Sequence, residues 1–126
     1  MDVLRPAHFP GRALIDAYGN GGFRFAEMSH RGSILCLPDG VFGWDAPAPD
    51  QLAPYHLRQA LETLSAPAFL LLGTGSQQIF PAPDLAAAFA DAGLGLEAMS
   101  TGAACRTYNV LLGEGRPVAA ALIATD

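Results

Sequence analysis

AFLLLG, residues 68–73, is an unbroken apolar run only six residues long. A half-exposed strand would alternate polar with apolar side chains; a continuous run of this length is what a strand covered on both faces requires. Helices must then lie on both sides of the sheet that holds it. The run ends in GTG (73–75), a turn signal at the strand's carboxyl end.

Reading outward, the flanks agree. On the amino side, residues 54–64 carry Leu57, Leu61 and Leu64 at helical spacing, with Ala60 beside them. Pro54 suits a first helical turn, and Pro67 forbids continuation. On the carboxyl side, DLAAAFADAG (84–93) predicts a helix capped by Asp84 and stopped by Gly93, with Leu85, Ala88, Phe89 and Ala92 on one face. LGLEAMS (94–100) reads as a short strand, TGAACRTYNVLLGEG (101–115) as a helix with Thr101 as N-cap, and VAAALIA (118–124) as a last buried strand. The first third is β-rich: ALIDAY (13–18) and FRFAEM (23–28) read as strands joined into a hairpin by GNGG, and SILCL (33–37) and VFGW (41–44) follow, separated by the turn PDG. The expected fold is α/β, a three-layer sandwich around a mixed β-sheet with an N-terminal β-hairpin element. The expected organisation is an irregular arm over 1–12 and a single α/β domain over 13–126.

Composition narrows the function classes. The 126 residues are 51% hydrophobic and 15% charged, enough apolar material for one packed core. The net charge is −5, and all seven basic residues are arginine. An acidic chain with scattered arginines is a poor partner for a phosphate backbone, so no nucleic acid is expected. No apolar run approaches the ~18 residues of a membrane span, although peripheral association is compatible with the sequence. The opening residues lack the apolar core of a signal peptide. Cys36 and Cys105, 69 positions apart, fit reduced thiols better than a disulfide. A cytoplasmic location is the simplest expectation.

Two stretches are candidates for chemistry. Gly73 and Gly75, around Thr74, would let backbone N–H groups approach an anion at the edge where open α/β sheets bind ligands. The alternative is a plain tight turn, since GTGSQ is not the dinucleotide fingerprint. In the second stretch, Ala104, Tyr108, Leu111 and Leu112 share one helix face, and Arg106 and Asn109 another. Cys105 lies between them near the helix start, where the dipole and Arg106 would lower a thiol pKa. Against a catalytic thiol, His8, His30 and His56 are all remote in sequence, and a small buried cysteine is a common core residue. The histidines lack metal-ligand spacing and the carboxylates are dispersed, so no catalytic residue, metal or cofactor is expected. The lone Trp44 fits a core-edge plug better than an exposed anchor.

The strings AFLLLGTGSQ and DLAAAFADAGLGLEAMSTGAACRTYNVLLGEGRPVAAALI, together with F-x-F and S-I-L-C-L-P upstream, resemble one family over about residues 13–123. It is the uncharacterised domain family, domains of unknown function 498 and 598, that includes mitochondrial respiratory complex I assembly factor 3 and the adipogenesis-associated domain protein. The most specific pieces are GTG after an apolar strand and the helix carrying Ala104, Thr107, Tyr108, Asn109, Leu111, Glu114, Gly115 and Arg116. The resemblance implies a three-layer fold around a mixed sheet, no established enzymatic activity, and a protein partner of unknown identity; the chain looks like a bacterial member. The expectation is a non-catalytic interaction or assembly factor. The alternative is an anion-binding protein or enzyme with a pocket at Gly73–Gly75 and the Thr101 helix start. The candidate ligand or partner surface is Gly73, Thr74, Gly75, Thr101, Cys105, Arg106 and Asn109.

Overall fold

The structure is a computed structural model that describes residues 9–126. The expected arm over 1–12 therefore lies largely outside the described residues. At its described end, Phe9 bridges Val41 in antiparallel fashion.

Eight strands and three α-helices follow: β1 (Ile15–Gly19), β2 (Gly22–Phe25), β3 (Met28–Arg31), β4 (Ser33–Leu37), β5 (Gly40–Trp44), α1 (Arg58–Thr63), β6 (Phe69–Gly73), α2 (Pro83–Asp91), β7 (Gly95–Met99), α3 (Thr101–Gly113) and β8 (Val118–Leu122). A five-stranded mixed sheet has the order β5-β4-β8-β6-β7, and a separate antiparallel sheet has the order β1-β2-β3. β6 pairs in parallel with both β7 and β8, while β4 is antiparallel to β8 and β5.

The apolar run behaves as its composition requires. Leu70 and Leu72 pack on one side with Leu85 and Phe89 of α2, and with Leu57 and Ala60. Leu71 faces the other way, with Ala104 and Tyr108 of α3 and with Phe23 and Phe25 of the small sheet. The connection β6–α2–β7 steps outward by one strand, and β7–α3–β8 steps back across β6. Parallel crossovers are right-handed, so opposite steps put α2 and α3 on opposite faces. In the middle strand β8, Ala119 and Ala121 face one layer and Ala120 the other, which lets both layers approach closely. One outer layer is α1, α2 and two 3₁₀ turns; the other is α3 beside the three-stranded sheet.

Local details differ from the sequence expectation. FRFAEM is not one strand. Ala26 and Glu27 both have positive φ, +48° and +61°, and they turn the chain so that Met28 pairs with Phe25. The expected hairpin is thus a three-stranded meander. The packing of Phe25 and Met28 against the core offsets a turn made without the usual Asn-Gly. The helix expected over 54–64 begins as a 3₁₀ turn, Pro54–Leu57, before α1. Asp84 is not the cap of α2: Ala82 holds the N-cap position, Pro83 starts the helix, and Asp84 Oδ1 accepts from the adjacent Leu85 N–H.

Candidate functional site

β6 and β7 lie side by side, yet the helices that follow them leave to opposite faces. The carboxyl edge of these strands is therefore the topological switch point, where open α/β sheets form a crevice. The GTG turn and the start of α3 meet there.

Thr101 is not the N-cap of α3. Ser100, with extended backbone angles, caps the helix: its Oγ accepts from Ala103 N–H at 3.3 Å. This moves Thr101 into the first helical turn, where its fully buried side chain points into the fold. Its Oγ1 accepts from Gly75 N–H at 2.9 Å and donates to Ile123 C=O at 2.7 Å. The Thr101 N–H donates to Gly75 C=O at 2.8 Å. One residue thus ties the turn after β6, the start of α3 and the end of β8.

Thr74 does comparable work inside the loop. Its N–H donates to Met99 C=O at 2.8 Å, its Oγ1 donates to Gln77 C=O at 2.6 Å, and Ile79 N–H donates back to that oxygen at 3.0 Å. Gly73 is closely packed: a Cβ there would lie 3.0 Å from the Thr101 Cα and from Leu122 Cδ2, so those neighbours would have to give way. Gly75 has φ +96°, a conformation that suits glycine. Thr74 and Gly75 therefore spend their N–H groups internally, and close packing favours glycine at position 73.

Above this stitch lies an open cleft of about 480 Å³ lined by Gly75, Ser76, Ser100, Gly102, Arg106 and Tyr18. Of the candidate surface residues, Gly75 and Arg106 line the cleft, while Gly73 and Thr101 lie beneath it. Tyr18 of β1 sits directly over Gly102, and a Cβ at Gly102 would collide with its hydroxyl. Ser76, Ser100, Gly102 and Tyr18 were not legible as cleft residues. A serine immediately before a helix was the available signal for Ser100; nothing in the sequence marks Tyr18, which arrives from the small sheet.

Asn109 and Cys105 are drawn away from the cleft. The Asn109 side-chain amide accepts from Ile15 N–H and donates to Ile15 C=O, both at 2.8 Å. It occupies the outer edge of β1 as a neighbouring strand would. Cys105 is buried in the layer between α3 and the five-stranded sheet, with Cys36 and Tyr108 in the same cluster. Burial pushes the Cys105 thiol up to about 12, and the adjacent Arg106 lowers it only in part. The expected lowering by helix start and arginine is overridden by desolvation. Burial likewise pushes the Cys36 thiol up, with a further rise from Cys105. No group of three or more His, Cys, Asp or Glu among the described residues is placed to hold a metal ion.

Comparison with known proteins places these features in context. A family model described as "Protein of unknown function (DUF498/DUF598)" matches residues 15–123. An uncharacterised protein of Rhodobacter capsulatus is 39% identical over 120 residues, covering 94% of this chain and 90% of that protein. The mouse NADH dehydrogenase [ubiquinone] 1 alpha subcomplex assembly factor 3 is 30% identical over 122 residues, covering 95% of this chain. The chain spans 65% of the mouse protein's length. Among solved structures, one described as an outer membrane protein from Bartonella henselae superposes with a TM-score of 0.88 at 49% identity, covering 94% of this chain and 100% of that one. No helix among the described residues is long and apolar enough to cross a membrane.

Proposed function

This chain belongs to the DUF498/DUF598 family, and from that premise we propose that it is a non-catalytic interaction or assembly factor, working in the cytoplasm as one domain over 13–126. The observation that carries this reading is the seam between β1 and α3. Three large apolar side chains are exposed along it: Leu14 at 50%, Tyr18 at 44% and Val110 at 59%. Leu14 and Val110 adjoin the Ile15–Asn109 pair in the chain, and Tyr18 covers Gly102 at the other end of the contact. An apolar stripe held on rigid, hydrogen-bonded elements suits a protein partner. Within the seam Asn109 is committed to Ile15, while Ser100 and Arg106 share the adjoining cleft with Tyr18.

The assembly-factor relative supports a partner in respiratory complex I assembly, with peripheral rather than spanning contact with a membrane. Affinity purification under membrane-retaining conditions, paired with deletion of the gene, tests this. A reproducible partner and impaired NADH dehydrogenase assembly are expected. No partner and unchanged assembly would sink the proposal.

The cleft at Gly75, Ser100 and Arg106 favours a second reading, a small anionic ligand bound at the α3 start. The committed Gly75 N–H weighs against it. A thermal-shift screen against nucleotides and phosphorylated metabolites decides: no shift with any of them removes this reading.

A further inference from the structure

The outer face of the three-stranded sheet, turned away from α3, holds a second open cleft, of about 460 Å³. Phe23 and Phe25 point inward to the core, so by the alternation of a strand Gly22 and Arg24 point outward. The antiparallel register sets Ala17 and Ser29 on either side of Arg24, and Arg31 beside Gly22. Arg24 and Arg31 are therefore diagonal neighbours on one face, a separation of about 7–8 Å that long side chains span. No side chain can fill the place of Gly22 between them, because a Cβ there would strike the His30 carbonyl. Arg24 Nη1 donates to Ser29 Oγ at 3.0 Å, while the Arg31 guanidinium lies beside the turn glycine Gly21. The two guanidiniums thus stand on either side of the gap at Gly22.

Among the described residues neither guanidinium is salt-bridged, and the Arg31 side chain makes no hydrogen bond. No Asp or Glu lines the cleft, and Asp16 and Glu27, the acids nearest in sequence, fall outside its lining. This is a cationic island on a chain whose net charge is −5. Two such cations on one face repel each other; a dianion seated between them neutralises both, a monoanion only one. The donors are also at hand. The bond to Ser29 uses one of the five N–H groups of Arg24, and Ser29, having accepted it, keeps its own O–H to donate.

We propose that this outer face binds the dianionic phosphate of a small soluble phosphate monoester. Arg24 and Arg31 grip its oxygens from either side, as arginine forks pair with phosphate, and the Ser29 hydroxyl donates a further bond. The cleft is larger than a phosphate group, and the organic part lies over Ala17 and towards Asn20, which also line it. A free ester is favoured over a lipid headgroup, because an anionic bilayer senses the field of the whole acidic protein. The site is separate from the seam between β1 and α3 and from the cleft at Arg106, so it goes beyond the interaction-factor reading.

The test titrates the full chain, at neutral pH and low salt, with three probes: glycerol 3-phosphate, dimethyl phosphate and vesicles containing phosphatidic acid. A phosphate monoester is largely a dianion at that pH, its second pKa being about 6; dimethyl phosphate is a monoanion of the same tetrahedral shape. Amide chemical shifts read both affinity and location. Glycerol 3-phosphate is expected to shift Ala17, Gly22, Arg24, Ser29 and Arg31 saturably, and dimethyl phosphate to bind at least fivefold more weakly. The variant Arg24→Gln/Arg31→Gln, altered only at outward-facing side chains, should melt like the wild type and bind at least tenfold more weakly. Ser29→Ala should weaken binding several-fold. No saturable shift, equal binding of dimethyl phosphate, tighter binding to the vesicles than to the free ester, or an unaffected double variant each overturns the proposal. Shifts confined to Gly75, Ser100 and Gly102 overturn it too, because they seat the phosphate at the start of α3. Partner capture through the β1–α3 seam should be the same for wild type and double variant, so the interaction-factor reading stands or falls separately.

Discussion

Thr101→Val replaces a hydroxyl by a methyl of nearly the same shape, at a position with no exposed surface. It deletes the acceptor of Gly75 N–H and the donor to Ile123 C=O, bonds of 2.9 and 2.7 Å. A buried partner left unsatisfied costs about 1–3 kcal/mol, so two would cost about 2–6 kcal/mol if both stayed dry. Gly75 lines the open cleft, so water can reach its N–H and relieve that half of the loss. The expected destabilisation is therefore about 1–3 kcal/mol. Thr101→Ser keeps both bonds and loses one methyl, which costs ~1 kcal/mol. Urea titrations of the three proteins at a common m-value supply the numbers. Amide exchange at Gly75 should rise in the valine variant alone. If valine matches the wild type within ~0.5 kcal/mol, an ordinary surface effect, or if serine is as damaging as valine, Thr101 is not the tie between the turn, α3 and β8.

Gly73→Ala should destabilise by about 1–3 kcal/mol in the same titration, because the new Cβ meets the Thr101 backbone at 3.0 Å, an overpacked contact with little room to relax. Tyr108→Phe should be neutral or stabilising by thermal melt, because the buried Tyr108 hydroxyl has no hydrogen-bond partner among the described residues; a loss above ~1 kcal/mol, the net worth of an ordinary hydrogen bond, would show that it has one. Stability should fall as pH rises above the ordinary thiol value of ~8.5. The unfolded chain then releases thiol protons that buried Cys105, with its pKa at about 12, retains. The loss is up to ~1.4 kcal/mol per pH unit for each such thiol, and Cys105→Ala should flatten the profile.

What could be read in advance follows the range of the forces involved. AFLLLG declares its environment through its own side chains, so the sandwich and its mixed sheet were legible. GNGG declared its turn through residues that accept positive φ; Asn20 and Gly21 take it, at +53° and +76°. The Ala26–Glu27 turn was illegible because neither residue favours that conformation and the register is imposed by packing. The α3 cap was misplaced by one residue because Ser100 and Thr101 are both good caps. Only the site itself shows that the threonine's bonds run to β8 and the GTG turn. Asn109 and Arg106 looked alike on a helical wheel. Their roles part because Ile15, 94 positions away, claims the asparagine. Tyr18 escaped notice because its place over Gly102 comes from contact between distant segments.

The seam between β1 and α3 is tested most directly by partner capture with one matched pair of proteins. Wild-type chain and a Leu14→Asp/Val110→Asp variant, with matching melting curves, are each used under membrane-retaining conditions. One reproducible partner is expected on the wild type, and its loss on the variant. The same partner recovered equally on both, or on neither, would contradict it.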